Sequence, residues 1–353
     1  MATTIQKPKP LSRRKRFVFS LIIFSFLLVS FLFLAEVGLR MKGLHPWTVQ
    51  RRDFVKVEPP GSYQTTHPTL GYITKPGEYT ITLPGPYSFK TTYLANGLRI
   101  THPLNTYSEK RKKEIWIFGC SLTQGWTIND EETHPWLLRE KLPDYEVVNF
   151  GVIGYGEVQS LIQLREALAQ GARPALVILS YASFHDVRNT LPRTWMKFRL
   201  TAGPGPRWGR VMLPYARLSK DNPPEILYQP FEYGPEFLLR HSALANFLDD
   251  TYNQSMEKTY HSLEVTQALI GEISSLCKAN GIEFVLAGIV SDPATQAMLE
   301  HFKEEGIETV DISVDLSRKE NTNLPYDAHP SAIANREYAR RLEVFLSSQV
   351  VGE

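Results

Sequence analysis

Cysteine is almost missing from this chain. Its 353 residues hold two, Cys120 and Cys277, too few for a disulfide scaffold. Each reads as a small buried apolar side chain rather than half of a bridge or a metal ligand. Histidine spacing suited to metal is also missing. His45, His67, His102, His134, His241, His261 and His301 are scattered, with no H-x-x-x-H pair among them. A dinucleotide fingerprint is lacking too, because Gly151-x-x-Gly154-x-Gly156 has the wrong glycine order and opens the second helical pattern rather than the first. No metal and no cofactor is therefore expected. Charge of one sign is not in excess over the whole chain, whose net charge is +2. There is no internal repeat. A composition of 42% hydrophobic and 22% charged residues excludes a disordered chain, and the length suits one large domain or two ordinary ones.

What is present begins with a concentrated basic cluster. Lys7, Lys9, Arg13, Arg14, Lys15 and Arg16 precede the uncharged run Phe17 to Ala35, whose 19 residues include only Ser20, Ser25 and Ser30 as polar positions. A bilayer-crossing helix needs about 20 such residues. A cleaved signal peptide would have a shorter apolar core and a small-x-small cleavage site. Leu34-Ala35-Glu36-Val37 lacks that pair, so the run reads as an uncleaved anchor. The basic cluster belongs on the cytoplasmic side, which makes topology, not nucleic acid, its explanation. The expectation is a single-pass membrane protein with its N-terminus in the cytoplasm and everything after Glu36 outside it.

The expected organisation follows in order: residues 1–16 a basic cytoplasmic segment, 17–36 the anchor, 37–113 a juxtamembrane and small β region, and 114–353 the main domain. In the third segment Pro59-Pro60-Gly61, Lys75-Pro76-Gly77 and Leu83-Pro84-Gly85-Pro86 punctuate partly alternating stretches at 78–83 and 87–93. Asn96-Gly97 is a tight-turn signal. Strands and helices then alternate: strand 115–118, helix 132–141, strand 146–149, helix 157–170, strand 175–180. After an interruption come helical patterns at 235–250 and 263–280, strand 283–288, helix 293–305, strand 309–312 and a last helix 331–345, with Ser331 as its N-cap. Val- and Ile-rich strands alternating with helices predict an α/β fold built on a mostly parallel sheet covered on both faces. The expected architecture is a flavodoxin-like three-layer sandwich with a five-stranded sheet, plus the transmembrane helix and the small β element. The interruption, 187–232, carries seven prolines between Pro192 and Pro230. Long loops in compact domains are usually functional, so it is expected to cover the site or shape a substrate groove; a merely tolerated insertion is the alternative.

One stretch organises the chemistry, Glu114 to Trp126, E-I-W-I-F-G-C-S-L-T-Q-G-W. Ser121 follows a buried apolar strand, at the sheet edge where ligands of open α/β folds bind. Taken alone, G-x-S reads rather as a turn with a capping serine. Three other segments fall at the same predicted edge: Asn149 to Gly154, Phe184-His185-Asp186, and Tyr326-Asp327-Ala328-His329-Pro330. A serine hydroxyl needs an adjacent base; His329 can be that base, and Asp327 can hold its tautomer and stabilise its charged form. Backbone N–H groups of Ser121 and Gly154 suit an oxyanion, with a side chain from the third loop as a further donor.

These four blocks, in this order, resemble the SGNH (GDSL-like) hydrolases, in particular a membrane-anchored bacterial branch. The blocks are F-G-C-S-L-T around Ser121, V-V-N-F-G-V-I-G-Y-G with Asn149 and Gly154, His185-Asp186, and Y-D-A-H-P-S with Asp327 and His329. The resemblance runs from about Glu114 to the C-terminus, leaving the insertion unmatched. It implies Ser121, Asp327 and His329 as catalytic residues and Gly154, His185 and Asn149 on the oxyanion and substrate side. Three positions depart from the pattern. Cys120 stands where the family usually has Asp, His185 where it has Asn, and Asp-x-His replaces Asp-x-x-His. A neutral imidazole can donate one hydrogen bond, so His185 can stand in for the amide. The implied activity is hydrolysis or transfer of an O-acyl ester, with acylated envelope polysaccharide as the suggested substrate. The alternative is a non-catalytic envelope protein that binds glycan in the same pocket.

Overall fold

The computed structural model describes residues 12–48, 55–104, 113–202, 210–219 and 223–350. Lys7 and Lys9, residues 109–112 and parts of the 187–232 insertion, Pro204 and Pro206 among them, lie outside these residues. The chain forms two compact units, residues 12–48 with 233–255, and residues 55–232 with 256–350.

In the first unit the apolar run is one helix, Arg13–Met41, started by Ser12, whose hydroxyl accepts from the Lys15 N–H at 3.4 Å. None of its side chains is buried. By length and composition it can cross a membrane. The expected single helix at 235–250 is two, Glu236–His241 and Ala243–Met256. The break has a visible cause. The Glu36 carboxylate accepts from the Ser242 hydroxyl and from the N–H groups of Ala243 and Leu244, each at 2.8–2.9 Å. That carboxylate satisfies the free donors at a helix start, so a new helix begins there.

In the second unit the expected strands form one five-stranded parallel sheet. They are β1 (Lys113–Phe118), β2 (Tyr145–Asn149), β3 (Leu176–Tyr181), β4 (Glu283–Val290) and β5 (Glu308–Val314), in the order β5-β4-β3-β1-β2. This is the flavodoxin-like order. Successive side chains of β1 point to opposite faces, as the pleat requires. Trp116 and Phe118 enter one core with the helices Glu157–Ala169, Ser262–Ala279 and Pro293–Glu304; Ile115 and Ile117 enter the other with His134–Lys141 and Ala332–Val350. The sheet is thus the middle of three layers, and all five strands end on one edge.

The small β region has a hairpin, Gly77–Leu83 with Tyr87–Tyr93, flanked by Lys56–Glu58, and a separate pair, Gln64–His67 with Gly71–Thr74. It is tied to the edge strand β2 by Arg99, which bridges Tyr93 on one side and Asn149 on the other. Trp126, from the turn after β1, packs among Ile81, Leu83 and Phe89 of the hairpin. The insertion contains the helix Arg193–Ala202 and an antiparallel pair, Met212–Arg217 with Glu225–Pro230.

Candidate active site

β1 ends at Phe118, and Ser121 opens a four-residue helix, Ser121–Gln124, that Gly125 closes in the left-handed conformation. So short a helix leaves the Ser121 N–H without an intrahelical partner. The segment after β2 must come close to it, and glycine permits this. A side chain on Gly151 would put its Cβ 2.5 Å from the backbone nitrogen of Gln124. Gly154 sits at φ +84°, where a side chain is strained and would also meet the Tyr72 hydroxyl. Gln124 then reaches across, its Oε1 accepting from the Ile153 N–H at 3.0 Å.

The late acid–base couple arrives on the strand Asp327–Pro330. In an extended strand residues i and i+2 share a face, so the Asp-x-His spacing places both side chains together. One Asp327 oxygen accepts from the His329 N–H at 2.8 Å and contacts the ring Nδ1. His329 Nε2 lies 2.9 Å from the Ser121 hydroxyl. With Nδ1–H donated to the carboxylate, Nε2 is left as an acceptor for the serine proton. Burial works against the Asp327 anion, but the bonds from His329 hold its carboxyl below the usual range. Asn323, paired with Asp327, anchors this strand to the nucleophile turn through its Nδ2 and the Thr127 hydroxyl at 2.8 Å.

Ser121 and His329 open onto a cleft of about 560 Å³. Gly154 and Ile153 line it. So do Phe184, Val187 and Arg188 after the third strand, with Thr194, Trp195, Phe198 and Arg199 of the insertion. Among the described residues the N–H groups of Ser121 and Gly154 donate to no protein acceptor.

Asn149 and His185 are placed differently from the sequence expectation. Both are fully buried and neither lines the cleft. Asn149 is a clamp: its Nδ2 donates to the Thr123 carbonyl at 3.1 Å, and its Oδ1 accepts from the Gly151 N–H at 2.9 Å. It thereby locks the two glycine-containing loops together. His185, expected among the oxyanion donors, lies behind the wall with Nδ1 on Glu157 Oε1 at 2.8 Å. The reason is a buried carboxylate that nothing in the sequence marks. Glu157 also accepts from Asn189 at 2.6 Å, and Asn189 reaches Thr266 at 2.9 Å. Burial opposes the charged ring, but Glu157, then Cys120, push His185 up to about 9. Burial alone would raise the Cys120 thiol; His185 beside it draws it down instead.

Asp186 gives this network a pH dependence. Burial first, then the charge of Glu157, raise it to about 7; the Tyr181 hydroxyl donates to its Oδ1 at 3.1 Å. An unfolded aspartate titrates near 3.9. The folded value is the higher one, so the stability that the protonated form contributes is present below about pH 4 and is lost as pH rises through about 7. Asp186→Asn removes that titration and keeps an acceptor for Tyr181. In urea unfolding, the variant is expected to gain on the wild type between pH 4 and pH 8. Parallel midpoints across that range would show that Asp186 titrates normally.

Sequence reasoning missed Arg99 and Glu157, whereas the insertion lines the cleft, as expected of a segment that shapes a substrate groove. Only Arg99 left a trace, as a charge between apolar Leu98 and Ile100 beside a tight turn.

No family model and no curated protein matches the chain. Solved structures do. One is a putative lipolytic protein of the G-D-S-L family from Desulfitobacterium hafniense, 14% identical over 66% of this chain and 99% of that one, with a TM-score of 0.37. Another is a mutant acetyl-xylooligosaccharide esterase from Geobacillus stearmophilus, 14% identical over 65% of this chain and 92% of that one, with a TM-score of 0.34. A lipolytic protein of the G-D-S-L family from Veillonella parvula is also similar to this chain, 12% identical over 66% and 98% of the two, with a TM-score of 0.37.

Proposed function

We propose that this protein is a serine esterase of the SGNH type, held at a membrane by the helix Arg13–Met41, with its α/β unit on the extracytoplasmic side. One observation carries the reading: a hydroxyl, an imidazole and a carboxylate from opposite ends of the chain are linked in series, Ser121 to His329 at 2.9 Å and His329 to Asp327. A binding protein has no use for that linkage.

In the proposed reaction Ser121 Oγ attacks the ester carbonyl while His329 Nε2 takes the hydroxyl proton. Asp327 stabilises the imidazolium that forms. The oxyanion is held by the N–H groups of Ser121 and Gly154. His329 then returns the proton to the departing alcohol, leaving an acyl group on Ser121. Water, or an acceptor alcohol, gives its proton to His329 and takes the acyl group off. Asn149 and His185 act from behind, Asn149 on loop position and His185 through the buried Glu157 network. Side orientation follows from Arg13 to Arg16, which lie at the start of the helix, because basic residues stay cytoplasmic. O-acyl groups on envelope polysaccharide are the proposed substrates, and the aromatic wall formed by Phe184, Trp195 and Phe198 suits a sugar ring.

A fluorophosphonate probe tests the nucleophile directly. Full-length protein in detergent is expected to be labelled, and Ser121→Ala is not. Equal labelling of the two removes Ser121 from the chemistry.

A further inference from the structure

Two arginines share the cleft of Ser121 and His329. Arg188 and Arg199 both line it, and no carboxylate does. Elsewhere arginines are commonly paired: Arg99 with Asp130 at 2.7 Å, Arg139 with Glu146 at 2.8 Å, Arg165 with Glu272 at 2.7 Å. Arg188 and Arg199 make no ion pair with a carboxylate among the described residues. Each is instead steadied in ways that leave its charge uncompensated. Arg188 donates to the Tyr155 carbonyl at 3.0 Å and lies 4.4 Å from the centre of the Phe184 ring. Arg199 lies 5.7 Å from the centre of the Trp195 ring. The acids around the cleft are bonded elsewhere: Glu157 to His185 and Asn189, Asp186 to Tyr181, Asp327 to His329, and Glu257 to the hydroxyl of Thr194 at 2.7 Å. A cleft whose lining holds two like charges and no carboxylate leaves room for an anion. Guanidinium forks are the side chains best shaped for carboxylate and phosphate.

We infer that the substrate is an anionic ester, one that carries a carboxylate or phosphate group near the acyl bond, read by Arg188 and Arg199. This rests on the serine esterase reading and narrows it. The Phe184 and Trp195 rings lie against the two guanidiniums.

The test uses matched esters and full-length protein in detergent. Acetate release is measured from O-acetylated methyl glucuronoside, which carries a carboxylate, and from O-acetylated methyl glucoside, which does not. Acetylated glucose 6-phosphate supplies the phosphate arm, and an O-succinyl glucoside places the anion on the acid side. A charge-assisted contact is worth on the order of a 10- to 100-fold preference in kcat/KM for an anionic ester. That ratio is expected to shrink in Arg188→Gln and Arg199→Gln, to vanish in the double variant, and to fall with added salt. Which arm shows the preference identifies the anion. A ratio near one in the wild type, or one that survives in the double variant, overturns the inference. If no ester is turned over, the esterase reading fails by itself, and calorimetric titration of Ser121→Ala with methyl glucuronoside and methyl glucoside decides the charge preference. Tighter binding of the glucuronoside sustains it; equal or no binding of both ends it.

Discussion

Ser121→Ala is expected to lower kcat/KM on an activated ester by about 10,000-fold or more, with the unfolding midpoint unchanged. The size follows from how such groups work. Nucleophile, base and orienter act as one unit, so losing one forfeits nearly all that the set provides, and only oxyanion binding remains. The neutral effect on stability follows from the contacts: the Ser121 hydroxyl bonds to His329 alone, and that ring is partly open to solvent. Losing the hydroxyl therefore strands no buried group. Initial rates and urea unfolding on the same preparations check both halves. Turnover retained within tenfold would mean that another group attacks the ester.

Arg99→Met is expected to destabilise the α/β unit by about 3–5 kcal/mol, the range for removing one partner of a buried ion pair. Arg99 is buried, and its guanidinium uses every arm. Nε donates to Asp130 at 2.7 Å, and the other nitrogens reach the carbonyls of Gln124, Gly125, Ile128 and Lys90 at 2.6–3.0 Å. Without it the Asp130 carboxylate loses its charge partner in a buried place, and four backbone acceptors lose a donor. Arg99→Lys is expected to recover only part of the loss, because an ammonium cannot span so many acceptors. Two of those carbonyls belong to the turn that follows Ser121, so esterase activity is expected to fall along with stability. Equilibrium urea unfolding and ester turnover measure the two effects. A loss below about 1 kcal/mol would mean that the cost of burying the guanidinium nearly cancels what its bonds contribute.

The core strands were legible because their character is local. Ile115 to Phe118, Leu176 to Ser180 and Glu283 to Gly288 are short apolar runs between polar turns, and such runs are stable only where both faces are covered. The helix over 235–250 was misread as continuous, since its interruption comes from Glu36, some two hundred residues away in sequence. His185, expected among the oxyanion donors, is buried against Glu157 for the same kind of reason. Its neighbours along the chain say nothing of Glu157, which holds the ring from the start of the helix Glu157–Ala169.

The order of residues alone determined a membrane-length apolar helix, an alternating α/β body, a serine just after the first sheet strand and an Asp-x-His pair beyond the last, because period, turn chemistry and hydrophobic runs act over a few residues. Folding in three dimensions decided which partners those residues meet. It joined Ser121 to His329, set Arg99 among five acceptors, put His185 behind the wall, and brought Arg188 and Arg199 to one cleft. Contacts between distant segments depend on the packing of whole elements, and no short stretch of sequence encodes them.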